Sequence, residues 1–86
     1  MNGYTIEFVR SARRELEQLP PPIIERVIRA VRRLRGNPRP RGCQKLAAEK
    51  AAYRLRVGDY RVVYEIDDET REIAITRVRH RKDAYR

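Results

Sequence analysis

Between Tyr53 and Ile66, apolar and polar residues alternate with a period of two on both sides of a Gly58-Asp59 pair. Tyr53, Leu55 and Val57 alternate with Arg54 and Arg56. After the pair, Tyr60, Val62, Tyr64 and Ile66 alternate with Arg61, Val63 and Glu65. Such alternation around a two-residue loop predicts a β-hairpin, and glycine in the first loop position suits a type II′ turn. The register follows at once: Val57 faces Tyr60, and Arg56 stands directly opposite Arg61. Like charges directly opposite each other on one sheet face are destabilising. The best-patterned strands of the chain therefore carry a repulsive pair that asks for a functional reason.

Composition narrows what that reason can be. The 86 residues have room for a single domain, residues 1–86, with one modest core. The 21 basic against 12 acidic residues leave a net charge of +9. Only Lys45, Lys50 and Lys82 are lysines, and the other 18 basic residues are arginines, whose planar fork matches phosphate oxygens. A polyanionic partner, most often nucleic acid, is the expectation. Cys43 is a lone cysteine, which excludes an intramolecular disulfide and a cysteine-cluster metal site. The N-terminal stretch has no signal-peptide pattern and no window approaches a membrane span, so a cytoplasmic setting without membrane contact is expected.

The remaining elements read in order. Tyr4, Ile6 and Phe8 alternate with Thr5 and Glu7 as a first strand. Ser11 offers an N-cap to a short helix with Ala12, Leu16 and Leu19 as its apolar stripe. Pro20-Pro21-Pro22 stops that helix and opens the next, where proline in the first turn is well tolerated. Ile24, Val27, Ile28, Val31 and Leu34 form the stripe of the second helix, with Gly36-Asn37-Pro38 as its stop. Its other face carries Glu25, Arg26, Arg29, Arg32 and Arg33, and a solvated surface is the simpler reading of those arginines. Residues 36–52 form a basic connection with a short helical turn around Leu46. After the hairpin, residues 67–70 make a turn and Glu72 to Val78 a last strand. The order β-α-α-β-β-β predicts an α+β domain: a small antiparallel sheet with two helices packed on one face.

The sheet face carrying Tyr53, Leu55, Val62, Tyr64, Ile73 and Ile75 must receive the helices. Arg54, Arg56 and Arg61 are left on the open face. With residues 67–70 as the loop, Ile66 pairs with Arg71 and Arg61 lies opposite Thr76. The last strand then ends beside the Gly58-Asp59 turn, and the tail of residues 79–86 emerges next to Arg56 and Arg61. The hairpin arginines, His80, Arg81, Lys82 and Tyr85 are thus expected to converge.

An anion would complete such a site. Fixed arginines stabilise the extra negative charge of a phosphate in its transition state. RNA brings its own nucleophile, the 2′-hydroxyl, so cleavage needs only acid-base help and electrostatic stabilisation. No cluster of carboxylates stands ready for paired magnesium ions, so a mechanism without metal or other cofactor is expected. His80 is the one side chain with an ordinary pKa near neutrality. Tyr85 can stack on a base, donate a hydrogen bond or anchor the tail. Lys45 and Glu49 lie in the preceding connection.

At these residues the sequence resembles the RelE/ParE superfamily of toxins from bacterial toxin-antitoxin systems. "YTIEF" with "SARRELEQLP" is similar to the family's opening strand and helix, "KLAAEKAAYRLRVGDYRVVYEID" to its central segment, and "ITRVRHRKDAYR" to its ending. The resemblance implies a microbial ribonuclease-like domain. It also implies a ribosome-dependent endoribonuclease that cuts messenger RNA in the A site, with basic residues on the sheet and a C-terminal tyrosine. Carried over by motif, the catalytic positions are Arg54, Arg56, Arg61, His80, Arg81 and Tyr85, with Lys45, Arg79 and Lys82 binding RNA around them. Relatives have Gly-His-Arg where this chain has Arg79-His80-Arg81. Arginine stays charged and is a poor proton donor or base, so proton transfer falls to His80 or Tyr85. The implied partners are a cognate antitoxin protein, the ribosome and mRNA, with operator DNA reached only through the antitoxin complex. Two alternatives stay open: a ParE-like inhibitor of DNA gyrase without nuclease activity, and an inactive domain whose basic face only binds.

Overall fold

The central hairpin forms as its alternation requires. β3 (Ala52–Val57) and β4 (Tyr60–Asp67) pair antiparallel, with Val57 on Tyr60 and Arg56 on Arg61. Gly58 takes φ +60°, while Asp59 is not left-handed, the pattern of a two-residue turn with glycine first. The following turn is closed differently. The Asp67 carboxylate accepts the backbone N–H groups of Glu69 and Thr70 at 3.0 and 3.2 Å, and Arg71 adopts φ 57°.

This computed structural model describes residues 3–46 and 51–82. Its other elements are β1 (Thr5–Phe8), α1 (Arg10–Glu17), α2 (Pro21–Arg33), β2 (Gln44–Lys45) and β5 (Glu72–His80). The five strands lie in the order β1-β5-β4-β3-β2. The sheet is mixed rather than antiparallel, because β1 pairs parallel with β5, Ile6 beside Ile73 and Phe8 beside Ile75. No helix among the described residues is long and apolar enough to cross a membrane.

Three local expectations change. α1 opens at Arg10 with Val9 in the cap position and no side-chain cap, so Ser11 lies inside the first turn. Around Leu46 the described residues form strand, not helix: Gln44 and Lys45 pair with Arg54 and Tyr53, and Leu46 N–H donates to the Ala52 carbonyl at 2.8 Å. The last strand runs on to His80, in a register other than the expected one. Ile66 pairs with Ile73 rather than Arg71, and Arg61 with Arg79 rather than Thr76. The cause is twofold. The Asp67 side chain closes a turn that begins one residue later, and Thr76 is an extra residue between the Tyr64–Ile75 and Val63–Arg77 pairs. The bulge is fastened by Thr76 Oγ1 donating to the Val63 carbonyl at 3.2 Å. One inserted residue moves every later side chain to the other face.

α2 begins with Pro21 and Pro22 in its first two positions, where a missing N–H loses no helical bond. Val27, Val31 and Leu34 from this helical segment, with Ala12 and Leu16 of α1, bury against Tyr53, Val57, Val62, Tyr64, Ile66, Ile73, Ile75 and Val78. Full burial of each Val, Leu or Ile contributes roughly 1.5–3 kcal/mol. Both helices cover one face of the sheet, and the other face carries the charge.

Candidate functional site

Along each strand, residues one position away from the core point to the opposite face. Cross-strand pairing sorts them into rows. Arg56 pairs with Arg61 and Arg61 with Arg79; the adjacent row is Arg54, Val63 and Arg77. Two rows thus put five arginines at one end of the face. At the other end the rows are Glu7, Ala74 and Glu65, then Thr5, Glu72 and Asp67. These residues border a groove of about 780 Å³ that Glu69 also lines. The face is bipolar, and its sign changes at the Thr76 bulge. Among the described residues no group of three or more His, Cys, Asp or Glu side chains is arranged to hold a metal ion.

The hairpin arginines share a face as expected, but that face is not open throughout. Arg61, on the inner strand at the middle of its row, is only 7% exposed, whereas Arg56 is exposed and Arg54 half-buried. Arg54 Nη2 donates to Gln44 Oε1 across the β2–β3 pair. Arg79 is engaged as well. Its Nε donates to Glu15 Oε2 at 2.8 Å, while Glu15 Oε1 accepts the Val78 N–H at 2.8 Å. Beyond Ile75 the strand β5 no longer pairs with β1. One carboxylate from α1 therefore satisfies a strand-edge donor and orients an arginine of the row.

The expected convergence splits at His80. His80 pairs with Tyr60, which shares the face of Val62 and the helices. Its ring meets Tyr60 edge-on, with centroids 5.1 Å apart, and its Nδ1 accepts the Lys82 N–H at 3.2 Å. It lines an open cavity of about 500 Å³ with Gln18, Leu19, Glu15 and Arg79, so of the row Arg79 reaches this cavity, while Arg56 and Arg61 do not line it. Lys45 also departs: it pairs with Tyr53, whereas Gln44 takes the arginine side beside Arg54. The approach of the tail is as expected. Arg81 N–H donates to the Asp59 carbonyl at 2.7 Å, tying the end of β5 to the hairpin turn, and Arg81 and Lys82 are exposed. Tyr85 and Glu49 lie outside the described residues.

Sequence reasoning missed Arg77, Gln44 and Glu15. Arg77 becomes visible once the bulge is known, and Gln44 once β2 is. Glu15 has no local signal, being 63 residues from Val78.

A polar clasp closes the acidic end. Arg39 donates to Asp68 through Nη1 and Nη2 at 3.3 and 2.7 Å and through Nε to the Tyr53 hydroxyl at 3.0 Å, while the Tyr4 hydroxyl donates to Asp68 Oδ1 at 2.6 Å. The hydrogen bonds from Arg39 and then Tyr4 hold the Asp68 carboxyl below its ordinary pKa. The hydrogen bond to Asp68 raises that of Tyr4. Buried Tyr64 donates to the Pro38 carbonyl at 2.8 Å, and burial is the main cause that pushes its phenol up.

Comparison with known proteins adds a second line. The family described as ParE toxin of type II toxin-antitoxin system, parDE, matches residues 6–85. Toxin RelG of Mycobacterium tuberculosis is 39% identical over 84 residues, covering 96% of this chain and 97% of the relative. The crystal structure of the toxin-antitoxin complex RelBE2 from the same organism superimposes with a TM-score of 0.78 at 39% identity, over 91% of this chain and 98% of that one. The archaeal RelE–RelB complex from Pyrococcus horikoshii gives a TM-score of 0.83 at 28% identity, over 94% and 97% of the two chains.

Proposed function

The chain belongs to the ParE toxin family of type II toxin-antitoxin systems, and from that premise we propose that it is a ribosome-dependent mRNA endonuclease acting in the cytoplasm. The observation that carries this reading is the row of Arg56, Arg61 and Arg79 across three adjacent strands. Arginines paired at these positions repel one another, with Arg79 also held by Glu15. A phosphodiester placed against the row turns that repulsion into attraction, through charge-assisted hydrogen bonds.

Cleavage follows from substrate and row together. The 2′-oxygen attacks phosphorus as its proton leaves to a base, and the P–O5′ bond breaks as the 5′-oxygen takes up a proton. The products are a 2′,3′-cyclic phosphate and a 5′-hydroxyl. Arg56 and Arg61 stabilise the pentacoordinate phosphorus, where a lost donor typically costs 10²–10³ in rate. Glu15 orients Arg79 and is a positioning residue. Tyr85 and the basic tail are assigned to base and leaving-group positioning on the family motif. His80 serves substrate that wraps round the end of β5. The antitoxin complexes of the relatives support a cognate antitoxin for this chain, with operator DNA reached through that complex.

A second reading, gyrase inhibition without RNA cleavage, is favoured by the ParE identity of the matching family. One experiment separates them: purified protein added to programmed ribosomes, with cleavage mapped in the A site. Cuts there, lost in Arg61→Gln, support the nuclease. Intact RNA together with gyrase-dependent DNA breaks overturns it.

A further inference from the structure

The arginines of α2 are exposed, as a solvated face requires, but they are not evenly spread. Arg26, Arg29 and Arg33 recur at i, i+3 and i+7, which aligns them along one side of the helix. That side meets the hairpin. With Arg56 and Gly58 they line a groove of about 280 Å³ between α2 and the β3–β4 turn. Gly58 has a specific part in its shape. A Cβ at that position would lie 3.0 Å from Arg26 Nη2 and 3.3 Å from Nη1, so the bare turn is what lets the guanidinium lie against it. Among the described residues, the carboxylate paired to this stripe is Glu25, 3.6 Å from Arg29 in an exposed contact, and it does not line the groove.

Four arginines around one open groove, without a lining carboxylate, concentrate positive charge that an anion would offset. Its continuity decides which anion. Arg56 belongs both to the groove and to the row with Arg61 and Arg79. A polyanion seated in the groove therefore shares Arg56 with the row. An acidic protein segment would seek apolar anchors, whereas the lining is dominated by guanidinium forks that match phosphate oxygens. We propose that the groove between α2 and the hairpin turn binds the phosphodiester backbone of RNA, as a track that adjoins the point of cleavage at Arg56. The inference rests on the reading of the chain as an RNA-acting toxin and assigns the α2 stripe to holding RNA flanking the cut.

The test uses a fluorescent 2′-O-methyl RNA hairpin, which cannot be cleaved by 2′-hydroxyl attack, and the full chain. Binding is measured by anisotropy over a range of KCl concentrations for the wild type and two charge-matched double variants. Arg26→Gln/Arg33→Gln alters the groove. Arg10→Gln/Arg14→Gln removes the same charge from exposed positions on α1. The groove variant is expected to weaken binding on the order of tenfold and to lower the log–log salt slope by roughly 1 to 2, with the control within about twofold of wild type. On programmed ribosomes its loss of kcat/KM falls chiefly on KM. Equal loss in the two variants overturns the inference. So does unchanged RNA binding in the groove variant with loss of binding to a polyglutamate peptide, which assigns the groove to an acidic protein. The parent reading fails separately: wild type that leaves ribosome-bound mRNA intact, with the groove variant still defective on the hairpin RNA, removes the nuclease and keeps the track.

Discussion

The two ends of the sheet handle charge in opposite ways. At the end bearing the β4–β5 turn, Arg39, Asp68, Tyr4 and Tyr53 form a connected set of hydrogen bonds in which each charge has an opposite partner. At the end bearing the Gly58-Asp59 turn, arginine is paired against arginine across three strands. Helix-borne Glu15 supplies a carboxylate at its margin. A compensated cluster ties segments together, while a row of like charges is eased by a carboxylate such as Glu15 or by a ligand of opposite sign. On the proposed function, the clasp belongs to stability and the row to binding.

Substitutions can break that division. The largest expected effect is Arg61→Gln, which lowers single-turnover cleavage on programmed ribosomes by tenfold or more, about 1.4 kcal/mol. Its melting temperature is expected to hold or rise, because a like-charge pairing is relieved. A variant that melts well below wild type yet cleaves fully would reverse the assignment. Glu15→Ala comes next. It leaves the Val78 N–H and Arg79 without their carboxylate and is expected to cost about 1–3 kcal/mol in urea unfolding. Glu15→Gln, which keeps an acceptor for Val78, should recover most stability but not the cleavage rate.

Tyr64→Phe sharpens the comparison from the other end. Removing the hydroxyl from the buried bond to Pro38 is expected to cost roughly 1 kcal/mol, lowering the melting temperature by about 4–8 °C with cleavage unaffected. The smallest effect is a pH dependence. Asp68 has a depressed folded-state pKa, so its contribution is present above the unfolded carboxyl value, roughly pH 4. It is lost as pH falls through the lower folded value. Tyr4 shifts upward, so its contribution is full below roughly pH 10 and is lost as pH rises through the folded value. Asp68→Asn should flatten the acid limb of a melting-temperature profile, while Arg61→Gln should leave it in place.

The sequence by itself determined the central hairpin, its register and its opposed arginines, because a two-residue glycine turn sets pairing between contiguous strands and alternation sets the faces. It also determined the helix stripes and the proline start of α2, where the deciding residues are again neighbours in the chain. Only the tertiary structure decided the last strand. Unbroken alternation puts His80 on the face of Arg56 and Arg61 and turns Arg77 and Arg79 inward. The extra residue at Thr76 reverses this, burying Val78, adding Arg77 and Arg79 to the basic rows and sending His80 to the helix side. No local signal marks that bulge, because it is held by a bond from Thr76 to Val63 on another strand. The parallel place of β1, the hold of Glu15 on Arg79 and the meeting of the α2 stripe with Gly58 were decided the same way. Each joins residues far apart in the chain, so it forms only when the helices close onto the sheet.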